Sequence, residues 1–241
     1  MEVGLLRRIL KRYKQWVRLA DNVKMLPEQP KPARVLSSEE KEKLVAVAAS
    51  RPEWQVAHDA TVLALNTTMR GCELRGLRWS DVNLFGRTLK IQRQSTKTDA
   101  GSRVLPLNQA AYAILLRRRS TAEALDDVEL NHYVFPAGEH GRIQPELPMK
   151  GWRTSWRSLT KKAGLSGFRF HDLRHHAITE LAEMGLSDQV IMSIAGHVSR
   201  EMLEHYSHIR LEAKRQALEG LNRPSESVSE PVEEAVEARL N

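Results

Sequence analysis

His171–Tyr206 reads HDLRHHAITELAEMGLSDQVIMSIAGHVSREMLEHY, and this stretch decides how the chain is built. Its apolar residues recur with helical spacing over 172–184, 187–195 and 199–207. Gly196 stands where a helix C-terminus favours glycine, and Ser199 stands where the next helix would take its N-cap. On a helix His171, Arg174 and His175, spaced i, i+3 and i+4, share one face. Three adjacent groups able to carry positive charge are unfavourable together unless an anion joins them. Metal binding is the competing reading, because His171 and His175 have the spacing of a zinc helix. Against it, Arg174 would lie between the ligands, and the Glu that follows the first His of a zinc-protease helix is absent. Tyr206, read alone, is a half-buried helix tyrosine.

Upstream, two further positions attract notice. Thr67-Thr68-Met69-Arg70-Gly71-Cys72-Glu73-Leu74 places an arginine just before a short amphipathic helix reaching to about Trp79, with Glu73 one turn along to orient it. Taken alone this is equally a surface ion pair of little energetic weight. Lys97 lies in Ser95-Thr96-Lys97-Thr98, where the period changes to two. Three short antiparallel strands are expected near 87–94, 95–98 and 102–106. A lysine on such a hairpin is ordinarily an edge-strand solubility device.

The rest of the chain reads as helices. Ser37 and Glu40 have capping-box spacing ahead of Leu44 and Val47, Pro52 opens a second helix, and further patterns cover 108–119, 151–163 and 209–221. Residues 5–20 carry Leu5, Ile9, Tyr13, Trp16 and Val17 on one stripe, with six Arg and Lys on the remaining faces. Pro27, Pro30 and Pro32 follow as a stiff, extended linker. Three parts are expected: a basic N-terminal helix and linker over 1–35, one domain over 36–222, and a disordered acidic tail over 223–241. The fold class is α+β, mainly helical with a small three-stranded antiparallel sheet.

Composition narrows the partners. The 241 residues carry a net charge of +7. From Pro224 onward five Glu face one Arg, a net of −4, which leaves +11 on residues 1–223. A body that basic fits a polyanion, either nucleic acid or an anionic membrane surface, although a merely soluble basic surface is open too. Cys72 is the sole cysteine, so an intrachain disulfide and a cysteine-based zinc site are excluded. No apolar run approaches the ~20 residues needed to span a bilayer. Basic residues interrupt the N-terminal apolar stretches, which excludes a secretory signal; the segment has the arginine-rich look of a transit peptide but little serine. A cytoplasmic location is expected.

Arg70, Lys97, His171, Arg174, His197 and Tyr206, in that order and in those surroundings, resemble the tyrosine recombinases, the phage-integrase family of site-specific DNA recombinases. The likeness rests on the Thr-x-x-Arg-x-x-Glu-Leu block, the Thr-Lys-Thr hairpin, His-x-x-Arg-His at 171–175, Gly-His at 196–197 and the tyrosine nine residues on. It spans roughly residues 36–215. Two departures stand out. Thr68 occupies a position where the family usually has Gly, and only residues 1–26 correspond to the family's N-terminal core-binding domain, of which they would be a remnant.

The resemblance implies a catalytic domain that cleaves and rejoins double-stranded DNA through a covalent 3′-phosphotyrosine, with no metal, ATP or other cofactor. Arg70 and Arg174 would grip the non-bridging phosphate oxygens, with His197 as a further donor. Tyr206 would be the nucleophile, His171 its base, and Lys97 the acid for the leaving 5′-hydroxyl. The resemblance also implies a homotetramer on paired sites, with 209–221 docking on a neighbour. Two other readings stay open: strand relaxation of the type IB topoisomerase kind, and a truncated remnant that binds DNA without recombining it. Lys150, Arg153, Arg157, Lys161 and Lys162 make the helix at 151–163 a candidate DNA contact, or an ordinary basic face.

Overall fold

The computed structural model describes residues 2–20, 34–92, 102–125, 128–139, 142–196, 198, 215, 218 and 219. The chain divides into two compact units, residues 1–33 and 34–241.

In the first unit, α1 (Glu2–Arg12) is shorter than the helix expected over 5–20. Lys14 adopts a left-handed backbone, φ 57°. Lys14 N–H then donates to the Lys11 carbonyl and Gln15 N–H to that of Leu10, which closes the helix as a glycine would. A single 3-10 turn follows at Trp16–Arg18. Leu5, Leu6, Ile9, Tyr13 and Val17 stay exposed.

The second unit is built on α3 (Gln55–Thr67), which is buried over most of its length. Its apolar run Val62–Leu65 is enclosed, and the polar residues buried with it are satisfied: Asp59 accepts from Gln55 and Arg117, and the Thr61 hydroxyl donates to the Ala57 carbonyl. Around it pack α2 (Ser38–Ala49), α5 (Gln109–Glu123) and α7 (Asp172–Glu183). The capping box is present: Ser37 Oγ accepts from Glu40 N–H at 3.2 Å, and Glu40 accepts from Ser37 N–H at 3.1 Å. Asn108 and Ser187 likewise cap α5 and α8 (Asp188–Ala195). Such caps stabilise by about 1 kcal/mol each. Leu44, Leu63, Leu74, Leu115, Leu159 and Leu173 are fully enclosed. An aromatic wedge closes one side of this aliphatic core, with Phe170 4.5 Å from Trp152 and 5.0 Å from Trp156 between ring centres.

The three-stranded antiparallel sheet has the order β1 (Val82–Asn83), β2 (Thr88–Ile91), β3 (Arg103–Pro106), with Leu89 opposite Leu105. The outer strands of the expected set correspond to β2 and β3, but the third member comes from before them. At two residues, β1 is too short to give a period-two signal. The segment 95–98 lies outside the described residues. A second, two-stranded sheet pairs β4 (Pro136–Glu139) with β5 (Arg142–Pro148). It was not expected, because Pro136, Gly138, Pro145 and Pro148 punctuate it as they would a loop. The helix expected over 71–79 is α4 (Gly71–Arg75), followed by a 3-10 turn at Trp79–Asp81. Finally α6 (Arg153–Lys162) lies against α2, and Ile178, Ala182, Ile191, Ala195 and Val198 bury together to fix α8 on α7. The helix expected at 199–207 and the acidic tail fall outside the described residues; of the helix expected at 209–221 only residues 215, 218 and 219 are described, and all three are helical.

Candidate functional site

The α3–α4 loop, α4, β3, the start of α7 and the end of α8 converge on one buried carboxylate. Glu73 has no solvent-exposed side-chain surface. It accepts Arg70 N–H at 2.8 Å and Arg70 Nη1 at 2.8 Å, so a single side chain both caps α4 and holds the preceding arginine. On its other side Arg103 Nη1 and Nη2 donate to the two carboxylate oxygens at 3.2 and 3.1 Å. Burial pushes the Glu73 pKa up, but hydrogen bonds and charge from Arg103 and Arg70 outweigh it and hold the group below the ordinary carboxylate value.

Arg174 enters from α7 and is 3% exposed. Its Nη1 donates to the Thr68 carbonyl at 2.6 Å. Thr68 ends α3 in a left-handed conformation, φ 55° and ψ 13°. A β-branched residue there carries strain of about 1–2 kcal/mol, which glycine would not. Thr68 also uses its hydroxyl, which donates to the Ile194 carbonyl at 3.3 Å. Burial, reinforced by Arg70 and Arg103, draws the Arg174 pKa down to about 9 despite Glu73. The cluster Arg70, Arg103, Arg174 and Glu73 therefore holds a formal surplus of two positive charges around a mostly buried guanidinium, a setting that an anion relieves.

His171 stands at the N-cap of α7 rather than inside it, so it is exposed while Arg174 is enclosed. The three residues of this motif thus differ in exposure: His171 is exposed, His175 half-buried and Arg174 enclosed. The His171 and His175 rings meet edge to face at 4.9 Å. Partial desolvation of its ring first, then Arg174, lowers the His171 pKa; burial and His171 lower that of His175 to about 4. Both rings are neutral at pH 7, and His171 can accept a proton. Asp172, buried, holds the start of α7 by accepting Arg169 N–H at 2.9 Å and its guanidinium at 2.6 Å.

Beside His171 opens a cleft of about 700 Å³, whose rim carries Arg75, Lys150, Arg153, Arg157 and Arg169 over a floor including Trp152 and Phe170. Two basic residues of the helix expected over 151–163, Arg153 and Arg157, therefore face the same opening as His171. Among the described residues no group of three or more His, Cys, Asp or Glu side chains is gathered so as to hold a metal ion, and no helix is long and apolar enough to cross a membrane.

The sequence pattern of the phage integrase family matches residues 34–212. The chain belongs to this family, the tyrosine recombinases. Its fold is that of tyrosine recombinase catalytic domains: an integrase of transposon Tn1549 in complex with transposon right end DNA superposes with a TM-score of 0.64 at 22% identity, over 85% of this chain and 70% of that one. The XerA recombinase crystal structure gives a TM-score of 0.57 at 22% identity, over 89% and 74%. In sequence the chain is similar to the shufflon-specific DNA recombinase of Escherichia coli, 32% identical over 149 residues, 61% of this chain and 33% of that protein. It is also similar to the integrase of Salmonella phage P22, 27% identical over 61% of this chain and 37% of that protein. The chain spans about half or less of the length of these curated relatives.

Of the six residues singled out from the sequence of this family member, Arg70, His171 and Arg174 are brought together. Lys97, His197 and Tyr206 lie outside the described residues. Arg103 and the structural part played by Thr68 were missed. The available signal for Arg103 was its parity: it shares a strand face with buried Leu105, an inward place for a charged residue.

Proposed function

We propose that this chain is the catalytic domain of a tyrosine-type site-specific DNA recombinase. It cleaves and rejoins duplex DNA through a 3′-phosphotyrosine at Tyr206, without metal or ATP. The observation that carries the reading is the arginine pair: Arg70 and Arg174 flank one buried carboxylate, and Arg174 is cationic, enclosed and depressed in pKa. Such a pocket stabilises charge that builds on a phosphate as phosphorus becomes five-coordinate. Preorganised guanidinium forks match the non-bridging oxygens without reorganising at the moment of reaction.

In this mechanism the Tyr206 oxygen attacks phosphorus and its proton passes to His171, whose neutral ring suits that role. A tyrosine with an ordinary pKa of ~10 needs such a base and a cationic setting. The bond from phosphorus to the 5′-oxygen breaks, and Lys97 protonates the leaving oxygen; His197 adds a donor to the phosphate. The phosphotyrosine conserves the energy of the phosphodiester, so a second strand's 5′-hydroxyl can reverse the step. Residues 36–222 form this catalytic domain. The partners are double-stranded DNA and three further copies of the chain.

A nicked duplex bearing a 5′-bridging phosphorothiolate at the recombination site tests the reading. The wild-type chain should form a denaturation-resistant protein–DNA adduct, in EDTA as in magnesium, and Tyr206→Phe should form none. An adduct in Tyr206→Phe would remove the nucleophile assignment. Binding with no adduct on the cognate site would favour a DNA-binding remnant, and relaxation of supercoils without synapsis a topoisomerase-like activity.

A further inference from the structure

We infer that Arg103 is a positioning residue of this site: it neutralises Glu73 from behind, so that Arg70 keeps its charge for the phosphate, and it ties the Arg70 loop to the end of α8. The inference rests on the recombinase reading and adds a residue to it.

Arg103 comes from β3, and its side chain is only 6% exposed. Its planar guanidinium spans two elements at once. Nε donates to the Ile194 carbonyl at 2.7 Å, while the two Nη atoms take the two oxygens of Glu73. Ile194 lies in the last turn of α8, where helix carbonyls lack intrahelical donors. The same carbonyl accepts the Thr68 hydroxyl. Arg103 and Thr68 therefore join the end of α8 to the two residues that flank the site on the other side, Glu73 and Arg174.

Gly196 gives a separate indication of how closely Arg103 is fitted. Its backbone has φ 74° and ψ −151°, a conformation essentially confined to glycine, and a Cβ built on it would lie 2.9 Å from Arg103 Nη1 and 3.3 Å from Cζ. The guanidinium occupies the space that any side chain at 196 would need. His197 is the next residue in the sequence, so the contact lies one peptide bond from another proposed phosphate donor.

Charge explains why an arginine is used here. With Arg103 in place, Glu73 is shared by two guanidinium groups, and the cluster with Arg174 keeps a surplus of two. Without it, Glu73 and Arg70 form a closed pair, and the surplus falls to one. The fork geometry matters as well: a lysine offers one compact ammonium and cannot take two carboxylate oxygens and a carbonyl along fixed directions. A misplacement of ~1 Å in such a site costs about 10²-fold in rate.

The full-length chain tests this with single-turnover adduct formation on the phosphorothiolate duplex, alongside DNA affinity and Tm. Arg103→Lys should keep DNA affinity within a few-fold and slow adduct formation by about 10–10²-fold. The phosphorothiolate, whose sulfur leaves without an acid, should rescue Lys97→Ala but not Arg103→Lys. Arg103→Met combined with Glu73→Gln removes both buried charges, and should recover most of the Tm lost in Arg103→Met without recovering its rate. Should Arg103→Lys react at the wild-type rate per bound complex, or the double variant regain rate along with Tm, Arg103 is a fold-stabilising arginine only. If the wild-type chain forms no adduct, the recombinase reading falls and the positioning role falls with it.

Discussion

Arg174 Nη1 and the Thr68 carbonyl oxygen, 106 residues apart in sequence, meet at 2.6 Å. This bond aims the guanidinium. A guanidinium has five N–H donors in a rigid fork, so fixing one nitrogen on the main chain of the Arg70 loop sets the direction of the others. The two arginines are thereby oriented by the same seven residues of chain, Thr68 to Leu74. Arg174→Lys keeps a cation but loses the fork, and should lower the single-turnover rate of DNA cleavage by about 10²–10³-fold, the usual cost of removing a preorganised donor. Duplex affinity, carried largely by other basic residues, should change far less. A rate within a few-fold of wild type would mean that Arg174 does not bear on the reacting phosphate.

Thr68 holds a strained backbone and makes use of it. Replacing it by Gly removes the Cβ crowding but gives up the hydroxyl bond to Ile194 and adds chain entropy, terms of about 1 kcal/mol each that nearly cancel. Thr68→Gly should therefore stay within about 1 kcal/mol of wild type in denaturant unfolding. Thr68→Val keeps the strain and loses the bond, and should be less stable by about 1–2 kcal/mol. A Thr68→Gly variant less stable than Thr68→Val by about 1 kcal/mol, the entropy term alone, would show that the left-handed backbone at 68 costs nothing.

His175 makes stability depend on pH in a definite sense. Burial, with His171, Arg169 and Arg174 and against Asp172, holds its pKa at about 4 instead of 6.5. The unfolded chain takes up this proton near pH 6.5 and the folded chain only near pH 4. Between these values the unfolded state binds more protons, so stability falls as pH is lowered through the window and is fully present above it. His171 and His176 are lowered too and act in the same direction. The Tm of the wild-type chain should drop from about pH 7 to about pH 5, and His175→Gln should flatten part of that slope. An unchanged slope would place the titration elsewhere.

Spacing made Arg70, His171 and Arg174 legible in the sequence, because each sits in a short motif whose register is local. Ser37 and Glu40 were legible for the same reason: a capping box is a four-residue object. Arg103 was not: its parity with Leu105 places it on the inward face of β3, but nothing local says what a charged residue there would pair with. Its role depends on Glu73, thirty residues away, and on Ile194, ninety-one away. Lys14 ends α1 by adopting a left-handed backbone without glycine, and β4 and β5 pair despite their prolines. In these places tertiary or backbone context outweighs propensity.

The basic cleft beside His171 separates backbone binding from base reading. Arg153 and Arg157 lie on the exposed side of α6, one turn apart, so both can meet the same strand of a duplex that passes over His171. If they contact phosphates, each Ala substitution releases about one fewer counterion. The slope of log Kobs against log salt should then shrink by about 0.9 per arginine. Affinity should fall by a similar factor on cognate and unrelated duplexes, because phosphates carry no sequence information. If either reaches a base edge instead, its loss should cost about 1–3 kcal/mol on the cognate site alone and relax preference at one base pair. Titrating Arg153→Ala and Arg157→Ala on both duplexes over a range of salt distinguishes these outcomes. The burial of Trp152 and the exposure of Arg153 and Arg157 favour the first. Aromatic side chains packed against the core leave the guanidinium groups to meet a phosphate backbone first.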